Sequence, residues 1–155
     1  MDDLDRLAAA HGFANWKDVS EIRFTFNVDR DTSHFERRWI WNPAENRVTR
    51  IMGSDTLTYL RSEVDSTLMQ ADGGFINDKY WMLAPYQWVW DRESIEWEMD
   101  PAAPAPISGD TMPKLTIVYG NEGGYTPGDA YDFYIGPDSL VAEWVFRRGN
   151  QPEPN

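Results

Sequence analysis

The chain has 155 residues, a formal net charge of −12 and no cysteine. That length suits one compact domain with a sizeable core, and the missing thiols exclude disulfides, thiolate metal sites and a cysteine nucleophile. With 26 acidic residues against 14 Lys and Arg, the charge balance argues against nucleic acid and against an anionic membrane surface, because both require clustered cations.

The first residues predict a short amphipathic helix, Asp2 to His11. Leu4, Leu7, Ala8 and His11 share its apolar side after an acidic first turn, and Gly12 stops it. The period then changes to two. Ile22, Phe24, Phe26 and Val28 alternate with Glu21, Arg23, Thr25 and Asn27, the signature of a strand with one buried face. A hairpin follows, from His34–Trp41 through the turn cluster Asn42–Asn46 to Arg47–Met52, with a further short strand at Leu57–Leu60.

From about Glu63 to Leu83 the spacing turns helical. Gly73-Gly74 predicts an interruption, giving two short helices, with Pro85 ending the second. Strands are expected again at Gln87–Trp90 and Ile95–Met99, and the Pro- and Ala-rich segment Asp100–Pro113 is expected to be a loop. Lys114–Tyr119, Ala130–Ile135 and Leu140–Arg148 close the chain as a meander, joined by the glycine-rich loop Asn121–Asp129 and the turn Gly136–Ser139. The fold class expected is α+β: a curved antiparallel sheet, with an N-terminal helix and a helical insertion. Residues 1–148 read as a single domain and residues 149–155 as a disordered tail.

Most catalytic patterns fail on a specific residue. Asp29, Asp31 and Ser33 open like a calcium loop, but His34 stands where the turn glycine belongs and Ile40 where the bidentate glutamate belongs. His11 and His34 have no zinc spacing. Gly120, Gly123, Gly124 and Gly128 fit no phosphate-binding pattern. Asp129 or Asp132 with a neighbouring carboxylate, or Glu96 with Glu98, is the remaining hydrolase reading. No cofactor or metal is expected. No apolar run approaches a membrane span, and the acidic start is unlike a signal peptide, so the chain is expected to be soluble as given. An acidic surface whose lysines are only Lys17, Lys79 and Lys114 also suits high salt.

Aromatic density stands out: 14% of residues, eight of them tryptophan. Trp39 and Trp41 share a strand face, and Phe75, Tyr80, Trp81, Tyr86, Trp88 and Trp90 crowd the helical insertion and its C-terminal flank. These eight are the candidate ligand-binding residues. An aromatic-lined hollow suits an apolar ligand, while the same rings are equally a plain core.

His11-Gly12, Trp16, the segment around Asp72–Leu83 reading ADGGFINDKYWMLAPY, and Thr126-Pro127-Gly128-Asp129-Ala130-Tyr131 resemble a family of uncharacterised bacterial envelope proteins. That family is similar to the LolA-like lipoprotein-carrier fold. The resemblance implies an unclosed barrel whose concave face is covered by the helical insertion, with Phe75–Leu83 as lid. It implies a non-enzymatic protein, periplasmic or anchored at the outer membrane in its precursor. Its expected partner is an apolar small molecule or lipid, with another envelope protein as the alternative, and no membrane span.

Overall fold

The computed structural model describes residues 1–121, 124–125 and 127–154. The fold is α+β, with two unclosed four-stranded antiparallel sheets, an N-terminal helix and a longer helix. The chain forms two compact units. Asn15–Met82 is one, and Met1–Ala14 with Leu83 onward is the other.

In the Asn15–Met82 unit, β1 (Ile22–Arg30), β2 (Ser33–Asn42), β3 (Arg47–Met52) and β4 (Asp55–Leu60) form a meander in the order β1-β2-β3-β4. Arg30 pairs with Ser33 and Met52 with Asp55, so two-residue turns set both registers. The first turn places Asp31 at φ 50° and the second Gly53 at φ 58°. This register puts Ile22, Phe24, Phe26 and Val28 opposite Trp41, Trp39, Arg37 and Phe35. Those eight side chains share the inner face, while Thr49 and Thr58, hydroxyls 2.9 Å apart, lie on the other.

Helix α2 spans Met69–Trp90. It consists of two helical pieces, as expected, but it runs through Gly73-Gly74 and the pieces meet at Leu83 instead. A Cβ added at Gly74 would stand 3.7 Å from the Trp39 ring, in ordinary contact, so the glycine is a close approach of helix to strand and not a break. The real irregularity is Leu83, at φ −120° and ψ 22°. Pro85 therefore falls in the first turn of the segment that follows, where its missing N–H costs no helical bond.

In the other unit, α1 (Asp3–Ala10) buries Leu4, Leu7 and Ala8 and is capped by the Asp2 carboxylate, which accepts from Asp5 N–H at 3.0 Å. Gln87–Trp90, expected as a strand, is the last turn of α2, closed by Asp91 N–H donating to Gln87 C=O. The aromatic run there is suited to either state, and packing decides: Trp88 stands edge-on to Phe133 at 4.6 Å.

β5 (Ile95–Pro104), β6 (Thr111–Tyr119), β7 (Ala130–Ile135) and β8 (Val141–Arg147) pair in the order β5-β6-β7-β8. The Pro- and Ala-rich segment expected as loop is thus partly strand. β5 is an edge strand, so Pro101 and Pro104 leave no ladder bond unmade, and the register shift between Asp100 and Ala103 absorbs the irregularity. All six residues of β7 are buried. Beyond β8, Gly149 N–H donates to Asp129 and Arg147 donates to Gln151 C=O, so the segment expected as tail begins hydrogen-bonded. In the glycine-rich loop, Gly128 at φ 75° donates its N–H to Gly120 C=O, and a Cβ there would meet Asn121 Oδ1 at 2.8 Å. Glu122, Gly123 and Thr126 lie outside the described residues.

Candidate functional site

The inner face of the first sheet is tied to α2 by two buried aspartates. Asp78 accepts from Arg37 Nε at 2.8 Å and Arg37 Nη2 at 2.7 Å, and from the indole Nε1 of Trp39 at 2.7 Å. Asp72 accepts from Arg61 Nε and Nη2 at 2.8 and 2.9 Å and from the Tyr59 hydroxyl at 3.0 Å. Both are bidentate, charge-assisted pairs, the form best able to offset the desolvation of a buried carboxylate. The hydrogen bond from Arg37 to Asp78 raises the guanidinium's pKa above its ordinary value, against the opposing effect of burial.

Between these anchors the rings close on one another. Phe75 stands edge-on to Trp39 and to Trp41, each at 5.5 Å, and Trp16 covers Trp41 at 5.5 Å. The buried Lys79 ammonium lies 4.9 Å from the Trp41 ring centre and 5.2 Å from that of Phe75. The Trp41 indole N–H reaches Asn46 Oδ1 at 3.1 Å, on a residue at φ 53°. Trp39, Trp41 and Phe75 thus form a satisfied core.

Trp81 differs, being 59% exposed. Its ring lies 6.1 Å from Phe26, and the Arg37 guanidinium carbon sits 5.4 Å from the ring centres of both Phe26 and Phe35. Phe35 and Met82 are each 42% exposed. Phe26 and Phe35 lie on either side of the Arg37 guanidinium and Trp81 lies against Phe26, so the exposed rings of this face are grouped at one end of it.

The remaining predicted rings have separate settings. Tyr80 is buried. In the unit containing the second sheet, Trp88 is buried against Phe133. Tyr86 stands edge-on to Phe13 at 5.1 Å, and Trp90, 37% exposed, lies 6.2 Å from both. Phe13, Phe26 and Phe35 are absent from the eight predicted site residues. Phe26 was legible on the apolar side of β1, but only the hairpin register sets it against Arg37. An open cleft of about 510 Å³ in this unit involves Met99, Met112, Ile135 and Arg6, and none of the eight predicted rings lines it.

Of the carboxylate candidates, Asp132 and Asp129 are engaged in hydrogen bonds within the second sheet's unit. Asp132 is buried and accepts from Arg147 Nε at 2.8 Å, Arg147 Nη2 at 3.2 Å and Thr116 Oγ1 at 2.7 Å. Asp129 accepts from Gly149 N–H at 2.7 Å. Glu96 and Glu98 are exposed on β5. Asp29 is bonded to His34 Nδ1 at 2.6 Å beside the hairpin turn. Among the described residues, no group of three or more His, Asp or Glu is placed to hold a metal ion, and no helix is long and apolar enough to cross a membrane.

The most displaced phenol is that of Tyr131. Burial, reinforced by the Asp129 carboxylate, pushes it up to about 12. Because the folded value lies above that of an unfolded tyrosine, the neutral phenol contributes stability below about pH 10, and this is lost as pH rises toward about 12. Urea midpoints are therefore expected to fall more steeply between pH 9 and 11.5 for the wild type than for Tyr131→Phe. Parallel curves would contradict the burial of this phenol.

Against this geometry, no family model, no curated protein and no solved structure matches the chain.

Proposed function

We propose that this chain is a non-enzymatic binding protein that takes an apolar ligand, of lipid class, on the rings Phe26, Phe35 and Trp81. The observation that carries the reading is the contrast within one face. Trp39, Trp41 and Phe75 are buried against one another with both indole N–H groups hydrogen-bonded, while Phe35 and Trp81 are exposed to water. Phe26 and Phe35 flank a guanidinium already bonded to Asp78, and Trp81 extends the ring surface from Phe26, giving an apolar seat whose one charge is engaged, which suits an acyl chain better than a polar substrate. Binding is favoured over hydrolysis because both oxygens of Asp132 are engaged by Arg147. The carrier-like resemblance of the FINDKYW segment belongs to this reading and gives the protein a bacterial-envelope setting, periplasmic or anchored at the outer membrane.

Mass spectrometry of gently extracted protein under native conditions is the direct test. A retained lipid is expected in the wild type and absent from Phe35→Ser/Trp81→Ser. A bare wild-type protein would count against the proposal.

The filled packing of Trp39, Trp41 and Phe75 supports a second reading, in which the same patch contacts another envelope protein. Trp, Phe and Arg are the residue types enriched in such contacts. Here a protein partner, and no lipid, would be lost with the same double substitution.

A further inference from the structure

We propose that His11 is a proton-operated latch joining α1 to β8. The imidazole stands between one group that can only accept and one that can only donate. Nδ1 lies 2.7 Å from the Leu7 carbonyl oxygen, and the Val141 amide donates to Nε2 at 3.1 Å. Only the neutral tautomer with its proton on Nδ1 satisfies both. A second proton on Nε2 removes the acceptor and sets two N–H groups against each other.

His11 is also where three elements meet. Its backbone N–H closes the last turn of α1 onto Leu7 and Ala8, and its carbonyl accepts from the Tyr86 hydroxyl of α2 at 2.6 Å. Losing the Val141 bond therefore loosens β8 from a point that also anchors α1 and α2.

The charged groups on the surrounding elements are engaged elsewhere. On α1 and its cap, Asp2 and Asp5 bind Arg92, and Asp3 binds Arg6. On α2 and just beyond it, Asp91 accepts from Gln87 and from the Tyr119 hydroxyl. On the β7–β8 turn, Asp138 accepts from Leu140 N–H, and on β8 Glu143 accepts through Oε1 from the amides of Ile107 and Ser108, while its buried Oε2 has no hydrogen-bond partner among the described residues. None of these bonds supplies a carboxylate to a protonated His11 ring, so protonation breaks the latch without an alternative ion pair.

Nitrogen-15 NMR of the imidazole, with hydrogen exchange at Val141, tests this. At pH 8 the Nδ1–H tautomer is expected. Between pH 8 and pH 5 the Val141 protection factor, corrected for intrinsic exchange, should fall about tenfold or more. His11→Gln carries an amide that does not titrate and should abolish the pH dependence. The Nε2–H tautomer at pH 8, or Val141 protection unchanged across the imidazole titration, overturns the proposal. The tautomer measurement on the wild type decides even where His11→Gln fails to fold.

Discussion

Asp78→Ala is expected to destabilise the Asn15–Met82 unit by about 3–5 kcal/mol, because it leaves a largely buried guanidinium and a buried indole N–H without their shared acceptor. The Asp78 side chain is fully buried, and Arg37 keeps 22% of its side chain exposed. Partial exposure lets water recover some of the arginine's solvation, which puts the expected loss toward the lower end. Replacing both partners, Arg37→Met with Asp78→Leu, removes the stranded charge and should restore most of the stability. The residual deficit of about 1–2 kcal/mol then reports the hydrogen bonds that Trp39 and Asn77 donate to Asp78. Urea unfolding followed by circular dichroism measures all three. A single substitution that costs under about 1 kcal/mol would show that the helix-to-sheet tie is not energetic.

Phe75→Ala should cost a comparable amount, about 3–5 kcal/mol, for a different reason. Phe75 is fully buried and supplies the edge contact for both Trp39 and Trp41, so its removal opens a cavity that two rigid indoles fill poorly. Lys79 makes collapse harder still, since its ammonium faces the same ring and the Trp41 ring. Phe75→Leu retains most of the volume and is expected to cost less than half as much. Equal losses for alanine and leucine would point to the edge-to-face contact itself, and not the lost volume, as the main source of the stabilisation.

The alternation of β1 and the helical spacing of the insertion were legible in the sequence, whereas the position of the break in α2, the helical state of Gln87–Trp90 and the strand at Asp100–Pro104 were not. Alternation from Ile22 to Val28 located β1 because one face is buried and the other wet, and that pattern survives any tertiary context. Gly73-Gly74 signals a break on propensity alone, yet α2 continues because the glycines let the helix lie against Trp39. Pro85 likewise reads as a stop, but Leu83 takes up the distortion two residues earlier. Among the described residues all strand pairings join consecutive strands, and residue patterns do not encode that β4 and β5, on either side of α2, lie in different sheets.

The same division holds at the candidate site. Composition announced an aromatic cluster, but which of its rings are buried and which are exposed is set by packing. Trp39 and Trp88 look alike in sequence and are both buried, one bonded to Asp78 and the other stacked edge-on against Phe133. Trp81, on α2, is set apart from both by its exposure, with Phe26 of β1 6.1 Å from its ring. Asp72 and Asp78 carried a usable signal. Two carboxylates in a segment otherwise rich in apolar residues imply buried partners, and Arg37 and Arg61 are those partners.

Titration with a long-chain fatty acid, read by isothermal calorimetry, is the most direct measurement of the binding surface. It needs the wild type, Phe35→Ser/Trp81→Ser, and Thr58→Ser on the opposite sheet face as a control. Saturable binding is expected in the wild type and the Thr58 variant, with at least a tenfold loss in the double variant, since removing two ring contacts forfeits roughly 1.4 kcal/mol or more. Equal binding by all three proteins, or none by the wild type, would contradict the assignment of Phe26, Phe35 and Trp81 as an apolar seat.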